Sequence, residues 1–143
     1  MAAEPGSVRV ARSEILRWFH DQGRADDGLA TSIALAVSEA VANVVRHAYP
    51  RTGAGGRVEV EAELEGRSIV VSVADGGAGL TGQTERERNG MGLPVIGRMA
   101  DGVTVVSDET GTRVTMRFDL DRGPQRGAFL RPNPDRTYAI GVR

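Results

Sequence analysis

The chain has 143 residues, 40% of them hydrophobic, which is enough for one core and one folded domain. It lacks cysteine, which excludes disulfides, zinc fingers and thiol nucleophiles. Net charge is −1, and the 18 basic residues, all arginine, are scattered, which argues against direct nucleic-acid binding and excludes a P-loop lysine. With neither a signal-like N-terminus nor an apolar run of about 18 residues, we expect a cytoplasmic protein without membrane contact.

Two helices are predicted at the start of the chain. The first covers residues 12–22, where apolar side chains recur at helical spacing, namely Ile15, Leu16 and Phe19. The second begins at Asp26 or Asp27, either of which can cap it, and continues until Pro50.

The second helix is apolar around almost its whole circumference. Its polar residues form one narrow row: Ser32, Glu39, Asn43 and Arg46. A helix that faces water carries a broad polar face, so this narrow row favours a helix that lines a pocket. An ordinary exposed pair of Glu39 and Asn43, one helical turn apart, is the alternative interpretation.

Four strands are predicted after residue 57. Residues 58–64 alternate apolar residues with glutamate, and Glu65-Gly66-Arg67 is typical of a hairpin turn. Residues 68–75 are rich in β-branched side chains, as in an interior strand. A loop and a short helix with Pro94 in its first turn precede strands over 102–108 and 111–120.

These elements predict an α/β fold, more narrowly an α+β two-layer sandwich. Helices cover one face of a mixed, mostly antiparallel sheet whose other face is charged. We assign residues 8–120 to this domain. Residues 121–143, rich in Pro, Gly and Arg without periodicity, are predicted to be a C-terminal tail of uncertain order.

Three features could carry chemistry. An asparagine oxygen such as that of Asn43 suits magnesium, and the Glu39 carboxylate can accept a proton. Asp75 is followed by the glycine-rich Gly76-Gly77-Ala78-Gly79, where a backbone can approach a ligand closely. Gly90-Met91-Gly92, before the short helix, can present N–H groups to an anion. Either glycine motif alone is also typical of an ordinary turn.

Together the motifs resemble the GHKL (Bergerat-fold) ATP-binding signature: Glu39-x-x-x-Asn43, Asp75-x-Gly77-x-Gly79, Gly90-x-Gly92-Leu93 and Gly111-Thr112. SEAVANVVRHAYP, VADGGAGL, NGMGLPVIGRMADGV and GTRVTMRF are similar to the boxes of the RsbW-type anti-sigma factor serine/threonine kinases. The resemblance covers residues 8–120.

The resemblance implies a role for each matched residue. Asn43 would bind Mg²⁺, Glu39 would be the catalytic base, and Asp75 would receive the adenine amino group of ATP. Thr112 would help to hold the adenine end. The remaining nucleotide-binding positions would be Arg46, Gly77, Gly79, Arg88, Gly90, Met91, Gly92 and Leu93, with Arg88 on a lid near the γ-phosphate. Arg12 lies near the position of an arginine that similar proteins use on their partners.

The implied function is an ATP-dependent kinase that phosphorylates a serine on a STAS-domain anti-anti-sigma protein and sequesters a sigma factor, acting as a homodimer. The segment between Gly79 and Gly90 is shorter than the lid expected of such kinases, which leaves a non-catalytic nucleotide-binding module open. A detached ATPase domain of histidine-kinase type is a further alternative, although no phosphoacceptor helices precede the box. A two-layer domain without ATP would require all the motifs to coincide by chance.

Overall fold

The computed structural model describes residues 4–23, 26–48, 56–75, 93–108, 111–121 and 138–142. The helices are α1 (Ser7–Asp21), α2 (Asp27–Asn43) and α3 (Leu93–Met99), with a π-helical turn (Val44–Ala48) directly after α2. The strands are β1 (Val58–Glu65), β2 (Ser68–Asp75), β3 (Gly102–Asp108), β4 (Gly111–Asp119) and β5 (Tyr138–Val142). They form one sheet in the order β1-β2-β4-β3-β5, with all neighbours antiparallel except β3 and β5.

Helix α1 begins five residues earlier than predicted, at Ser7 instead of Arg12. Its buried stripe repeats every four residues and starts with small side chains: Ser7, Ala11, Ile15 and Phe19. Because Ser7 and Ala11 are not large apolar residues, the sequence pattern gave no sign of the first two turns. The Ser7 hydroxyl also accepts a hydrogen bond from the Glu4 amide at 3.1 Å, which fixes the start of the helix.

Helix α2 is the central element of the helical layer. The Asp26 carboxylate caps it by accepting a hydrogen bond from the Leu29 amide at 2.9 Å, as the sequence predicted. By length and composition, residues 27–46 could cross a membrane, but 67% of that apolar window is buried inside the fold, which identifies α2 as a core helix. The predicted helix continues through Ala48, but its α-helical geometry ends at Asn43 and its last five residues, Val44–Ala48, form a π-helical turn.

The sheet buries one face beneath the helices. Paired positions on β2, β4 and β3 place their apolar side chains in rows, of which Val73, Val114 and Val105 form one. Strands β1 to β4 contribute the following buried apolar side chains: Val58, Ile69, Val71, Val73, Val103, Val105, Val114, Met116 and Phe118. The predicted two-layer α/β fold is therefore confirmed, and β2 is an interior strand as expected.

The opposite face of the sheet is open and charged, also as predicted. Strand β1 carries a column of exposed glutamates, namely Glu59, Glu61, Glu63 and Glu65. Two strands away, β4 carries the exposed Arg113 and Arg117. Smaller side chains of β2 lie between these columns, because Glu61 pairs with Ser72 and Ser72 pairs with Thr115.

The turn between β1 and β2 and a C-terminal strand complete the sheet. The predicted hairpin turn joins β1 to β2 through Gly66, whose φ of 62° suits the first position of a two-residue turn. Arg67 in that turn pairs with Asp121, and its hydrogen bonds lower the pKa of the Asp121 carboxyl. The segment whose order the sequence left uncertain contributes β5, which pairs in parallel with β3.

Gly111 at the start of β4 is fixed by the backbone of β2. Its φ is 142°, and a Cβ built on it would lie 2.1 Å from the carbonyl oxygen of Asp75. A side chain at this position would therefore push apart the strands that carry Asp75 and Thr112.

We predict that Gly111→Ala destabilises the fold by at least about 1–3 kcal/mol, the cost of a strained backbone before the contact with Asp75 is added. Urea unfolding monitored by circular dichroism measures the loss. Gly28→Ala is the matched control, because its Cβ would make only an ordinary 3.5 Å contact in the first turn of α2. That variant should be neutral or more stable by up to about 1 kcal/mol. Equal stability of the two variants would contradict the prediction.

Candidate functional site

A row of polar side chains crosses the core-facing side of the sheet at one end. Asp75, Thr112 and Ser107 continue the buried positions of β2, β4 and β3 by one two-residue step beyond Val73, Val114 and Val105. Ser107 pairs with Thr112 across β3 and β4, and Asp75 lies one residue beyond the β2–β4 register pair of Ala74 with Arg113. The sheet thus brings together the two residues expected at the adenine end, Asp75 and Thr112.

Hydrogen bonds connect these three residues through the backbone and the side chain of Thr112. The Thr112 amide donates to Asp75 Oδ1 at 3.3 Å, and Thr112 Oγ1 lies 2.9 Å from Ser107 Oγ. Ser107 is completely buried and Thr112 is 9% exposed, whereas Asp75 is half-buried and therefore accessible from the edge of the core. A carboxylate held in this way can accept a hydrogen bond from a ligand amine.

Sequence reasoning missed Ser107. Its signal was present, because Ser107 follows Val103 and Val105 in phase and so occupies a core position where valine would be expected. The pattern could not show that its partner would be Thr112, since that depends on the register of β3 against β4.

Asn43 provides a second polar group on the helical layer. It is 6% exposed, and its Oδ1 is buried without a hydrogen-bond partner in the described part of the chain. An unpaired buried carbonyl oxygen is costly unless a ligand satisfies it. Oxygen of this kind is what Mg²⁺ prefers, so the residue fits the ion that the sequence assigned to it. The π-helical turn starts at the next residue, and such turns are frequent at functional sites.

The rest of the predicted polar row on α2 does not share one environment. Glu39 is half-buried, one turn before Asn43, and Arg46 is exposed on the π-helical turn. Ser32 is only 2% exposed and belongs to the core, so the expectation that all four residues line a pocket was wrong for Ser32. Helix α2 packs against β2 and β4, and the π-helical turn packs against β2, so Asn43 and Asp75 belong to the same helix–sheet interface.

Several expected site residues lie outside the described residues: Gly77, Gly79, Arg88, Gly90, Met91 and Gly92. Leu93 is the first residue of α3. Among the residues that the structure describes, no group of three or more His, Cys, Asp or Glu side chains could hold a metal ion. An ion at Asn43 would therefore take most of its ligands from water and phosphate, which is how Mg²⁺ usually binds with nucleotides.

Arg12 links the two long helices beside the candidate site. Its Nε donates to Ser38 Oγ at 3.0 Å, and the Ser38 hydroxyl donates in turn to the Ala34 carbonyl at 2.7 Å. Arg12 is exposed and its partner precedes Glu39 in the chain. This contact joins α1 to the part of α2 that carries Glu39.

Comparison with known proteins agrees with this geometry. The profile of the family described as histidine kinase-like ATPase domain matches residues 1–118. An anti-sigma F factor of Clostridium kluyveri is 35% identical over 99 residues, which cover 61% of this chain and 68% of that protein. The sensor histidine kinase PdtaS of Mycobacterium tuberculosis is 31% identical over 109 residues, which cover 71% of this chain and 22% of that kinase.

A solved structure shares the fold. The RsbU and RsbW domains of a Mycobacterium tuberculosis protein superpose with a TM-score of 0.65 at 25% sequence identity, covering 85% of this chain and 31% of that one. These likenesses confirm the resemblance to the GHKL and RsbW-type proteins that the motifs indicated. Since the profile spans well over half of the sequence, the chain belongs to the histidine kinase-like ATPase domain family.

Proposed function

We propose that this chain is an anti-sigma factor kinase: it binds ATP with Mg²⁺, phosphorylates a serine of a STAS-domain anti-anti-sigma protein, and sequesters a sigma factor in the cytoplasm. The observation that carries the proposal is the buried, unpartnered Oδ1 of Asn43 in a chain that belongs to an ATPase family. The anti-sigma F factor of Clostridium kluyveri, 35% identical, supports the choice of partners.

Two groups from opposite layers would bind the nucleotide. The Asp75 carboxylate, held by the Thr112 amide, would accept a hydrogen bond from the adenine amine. Asn43 would hold Mg²⁺ through Oδ1, and the ion would neutralise charge on the phosphates. Arg46, exposed one turn beyond Asn43, would contribute a guanidinium to the phosphates, and Arg88 and the glycine motifs would complete the phosphate end.

Glu39 would act on the attacking serine hydroxyl. It is half-buried, it lies one helical turn from Asn43, and it makes no hydrogen bond within the described residues, so its carboxylate is available as a proton acceptor. Positioning of the hydroxyl and neutralisation of phosphate charge would supply the remainder of the catalysis.

Two alternative functions can be distinguished from the proposed one by assays of ATP binding and of phosphate transfer. A non-catalytic module would bind ATP and a regulatory partner without forming phosphoserine. An ATPase domain of histidine-kinase type is favoured by the 31% identity to PdtaS and would transfer phosphate to histidine. Acid-labile phosphate on an added phosphoacceptor domain, without phosphoserine, would establish that second alternative.

Asn43→Leu should separate stability from ligand binding. Removing an unpaired buried acceptor should leave the free energy of unfolding unchanged or raise it by up to about 2 kcal/mol. The same change should lower ATP affinity at least about tenfold in Mg²⁺ and leave the affinity in EDTA unchanged, because only the ion contact is lost. Urea unfolding and isothermal titration calorimetry provide the two measurements.

Asp75→Asn is the comparison variant, since it should reduce ATP affinity roughly ten- to a hundredfold both with and without Mg²⁺. The proposed role of Asn43 would be overturned if Asn43→Leu weakened binding equally in EDTA. Absence of ATP binding by the unaltered chain under both conditions would overturn the proposed function itself.

Glu39→Gln should slow serine phosphorylation by about 10²–10⁴-fold, because it removes the base and preserves shape. ATP affinity should stay within about threefold. The measurement is ATP-dependent phosphoserine formation on a STAS-domain anti-anti-sigma protein from the same organism, followed by mass spectrometry. Glu14→Gln on the exposed surface of α1 is the matched control and should retain full activity. Unchanged rates in Glu39→Gln would remove this residue from the mechanism.

The open sheet face supports the homodimer that the family resemblance implied. The glutamate column of β1 and the Arg113 and Arg117 column of β4 are separated by two strand spacings, about 10 Å. The glutamates make no ion pair in the described part of the chain. Arg113 donates a hydrogen bond to the neutral Ser72 at 2.9 Å, whereas Arg117 pairs with Asp119 at 3.0 Å. A two-fold axis parallel to β2 would place the acidic column of each copy over the basic column of the other.

Charge reversal tests this dimer. A variant with Glu61→Arg and Glu63→Arg should be monomeric in analytical ultracentrifugation, and so should a variant with Arg113→Glu and Arg117→Glu, because like charges would face each other. An equimolar mixture of the two should restore a dimer of mixed composition. Arg9→Glu on α1 is the control and should dimerise normally. A monomeric unaltered chain at tens of micromolar, or dimerisation of either variant alone, would exclude this face as the interface.

A further inference from the structure

The two outer strands of the antiparallel part of the sheet differ in how they are protected from pairing with another chain. Without β5 the order is β1-β2-β4-β3, so β1 and β3 would be the edges. An edge strand exposes backbone N–H and C=O groups that can pair with a strand of another molecule. Strand β1 carries the exposed Glu59, Glu61, Glu63 and Glu65, and charge of this kind discourages such pairing.

Strand β3 does not carry comparable charges in its own sequence. Residues 103–106 are Val, Thr, Val and Val, all of them β-branched, and neither a charged residue nor a proline interrupts the run from Gly102 to Ser107. Uncharged, β-branched segments pair readily with other strands when they are exposed at an edge. An uncovered β3 would therefore be a site for strand addition.

Strand β5 covers this edge in the structure. It pairs in parallel with β3, from Val103 with Tyr138 to Ser107 with Val142. The family profile ends at residue 118, so β5 is an addition to the part of the chain that the profile describes. Strand β5 becomes the new edge, but it is only 5 residues long and Arg143 follows it directly in the sequence. Both features make an edge strand a poor template for further pairing.

The connection between β4 and β5 favours pairing of β5 with β3 of the same molecule. Gly102 pairs with Arg117 near the end of β4, and Val103 pairs with Tyr138 at the start of β5, so both chain ends lie at the same end of β3. Two strand spacings, about 10 Å, separate them. Residues 120–137 connect the two strands, and at about 3.3 Å per extended residue they could span several times this gap. Exchange of a strand between two copies is favoured by short, strained connections, whereas this connection is long.

We propose that β5 is an intramolecular cap on an interaction edge: while β5 is paired, the β3 edge is closed, and when β5 is released, β3 pairs in antiparallel with β3 of a second copy. A second copy fits this edge because a two-fold axis at Val105 would bring two identical, uncharged segments together. The glutamates disfavour the same pairing between two β1 edges, since like charges would face each other. This interaction edge is separate from the open sheet face and does not depend on nucleotide binding.

Introduced cysteine pairs test whether β5 covers β3 of its own chain. The chain contains no cysteine, so Thr104→Cys with Ala139→Cys introduces the only two thiols. These positions pair in the parallel register, and neighbouring strands lie about 4.8 Å apart, within the range that a disulfide can bridge. Oxidation should give a disulfide within a single chain, seen as one chain mass on a non-reducing gel. Thr104→Cys with Gly141→Cys is the matched control, because an offset of two residues increases the separation to about 8 Å, too far for a disulfide.

The double variant Ala139→Pro, Ile140→Pro should release the edge. Neighbouring residues of a strand direct their amides to opposite sides, so this change removes a hydrogen bond to β3 whichever residue provides it. In sedimentation velocity the released variant should form, as concentration rises, a species of at least about twice the mass of the unaltered chain. Adding Thr104→Lys should suppress this species, because a charge on the edge opposes strand pairing. Adding Ser13→Lys instead, an equal charge on the exposed surface of α1, should leave the species unchanged.

Three results would overturn the proposal. A disulfide between two chains would show that β5 is exchanged between copies, and no disulfide, or an equal yield in the control pair, would show that β5 does not cover β3. An unchanged mass of the proline variant would show that the β3 edge does not associate. Association that Thr104→Lys leaves intact would come from another surface or from misfolded chains, which circular dichroism identifies. None of these measurements involves ATP, so a failure of the proposed function would leave them unaffected.

Discussion

The antiparallel pairing of β2 with β4 is the constraint on which the site depends. It brings Asp75, at the end of one strand, beside Thr112, near the start of the other, and the pairing of β4 with β3 adds Ser107. The approach is so close that residue 111 has space only for glycine. Since side chains alternate along each strand, the same register that buries the valines of the core must also turn these three polar residues toward the helices. Strand pairing therefore determines both where these three residues lie and which polar groups they present at this end of the sheet.

The helical layer contributes a buried polar side chain, Asn43, to the candidate site. Helix α2 is buried on most sides, so any polar side chain that it directs inward loses its water. Asn43 is the last α-helical residue, and its Oδ1 is buried without a hydrogen-bond partner among the described residues, immediately before the backbone widens into a π-helical turn. In the described part of the chain, Asn43 Oδ1 is thus an unsatisfied acceptor on a helix that packs against β2 and β4, the strands that carry Asp75 and Thr112.

The sequence predicted much of this architecture because alternation and helical spacing are strong signals here. The layers, the interior β2, the hairpin at Gly66, the cap at Asp26 and the charged open face all followed from periodicity and turn chemistry. The first turns of α1 were missed because small residues form their buried stripe. The π-helical turn was missed because Val44–Ala48 contains no glycine or proline that would signal a change in helical geometry. Strand β5 lies in a segment without periodicity, and pairs with β3 instead of forming a hairpin.

Site residues that belong to a sequence motif could be predicted. Site residues that are defined only by a contact in the folded chain could not. Asp75 and Thr112 belong to motifs, but the contact of Ser107 with Thr112 depends on a register that places their hydroxyl oxygens 2.9 Å apart. The unpaired Asn43 oxygen is unfavourable for an empty fold, and Gly111 is required where the start of β4 approaches the backbone of Asp75. Asn43 lies in the helical layer and Gly111 in the sheet, and these two layers meet at one helix–sheet interface whose core is mainly apolar. A buried acceptor without a hydrogen-bond partner is a cost that a ligand bound at Asn43 would remove.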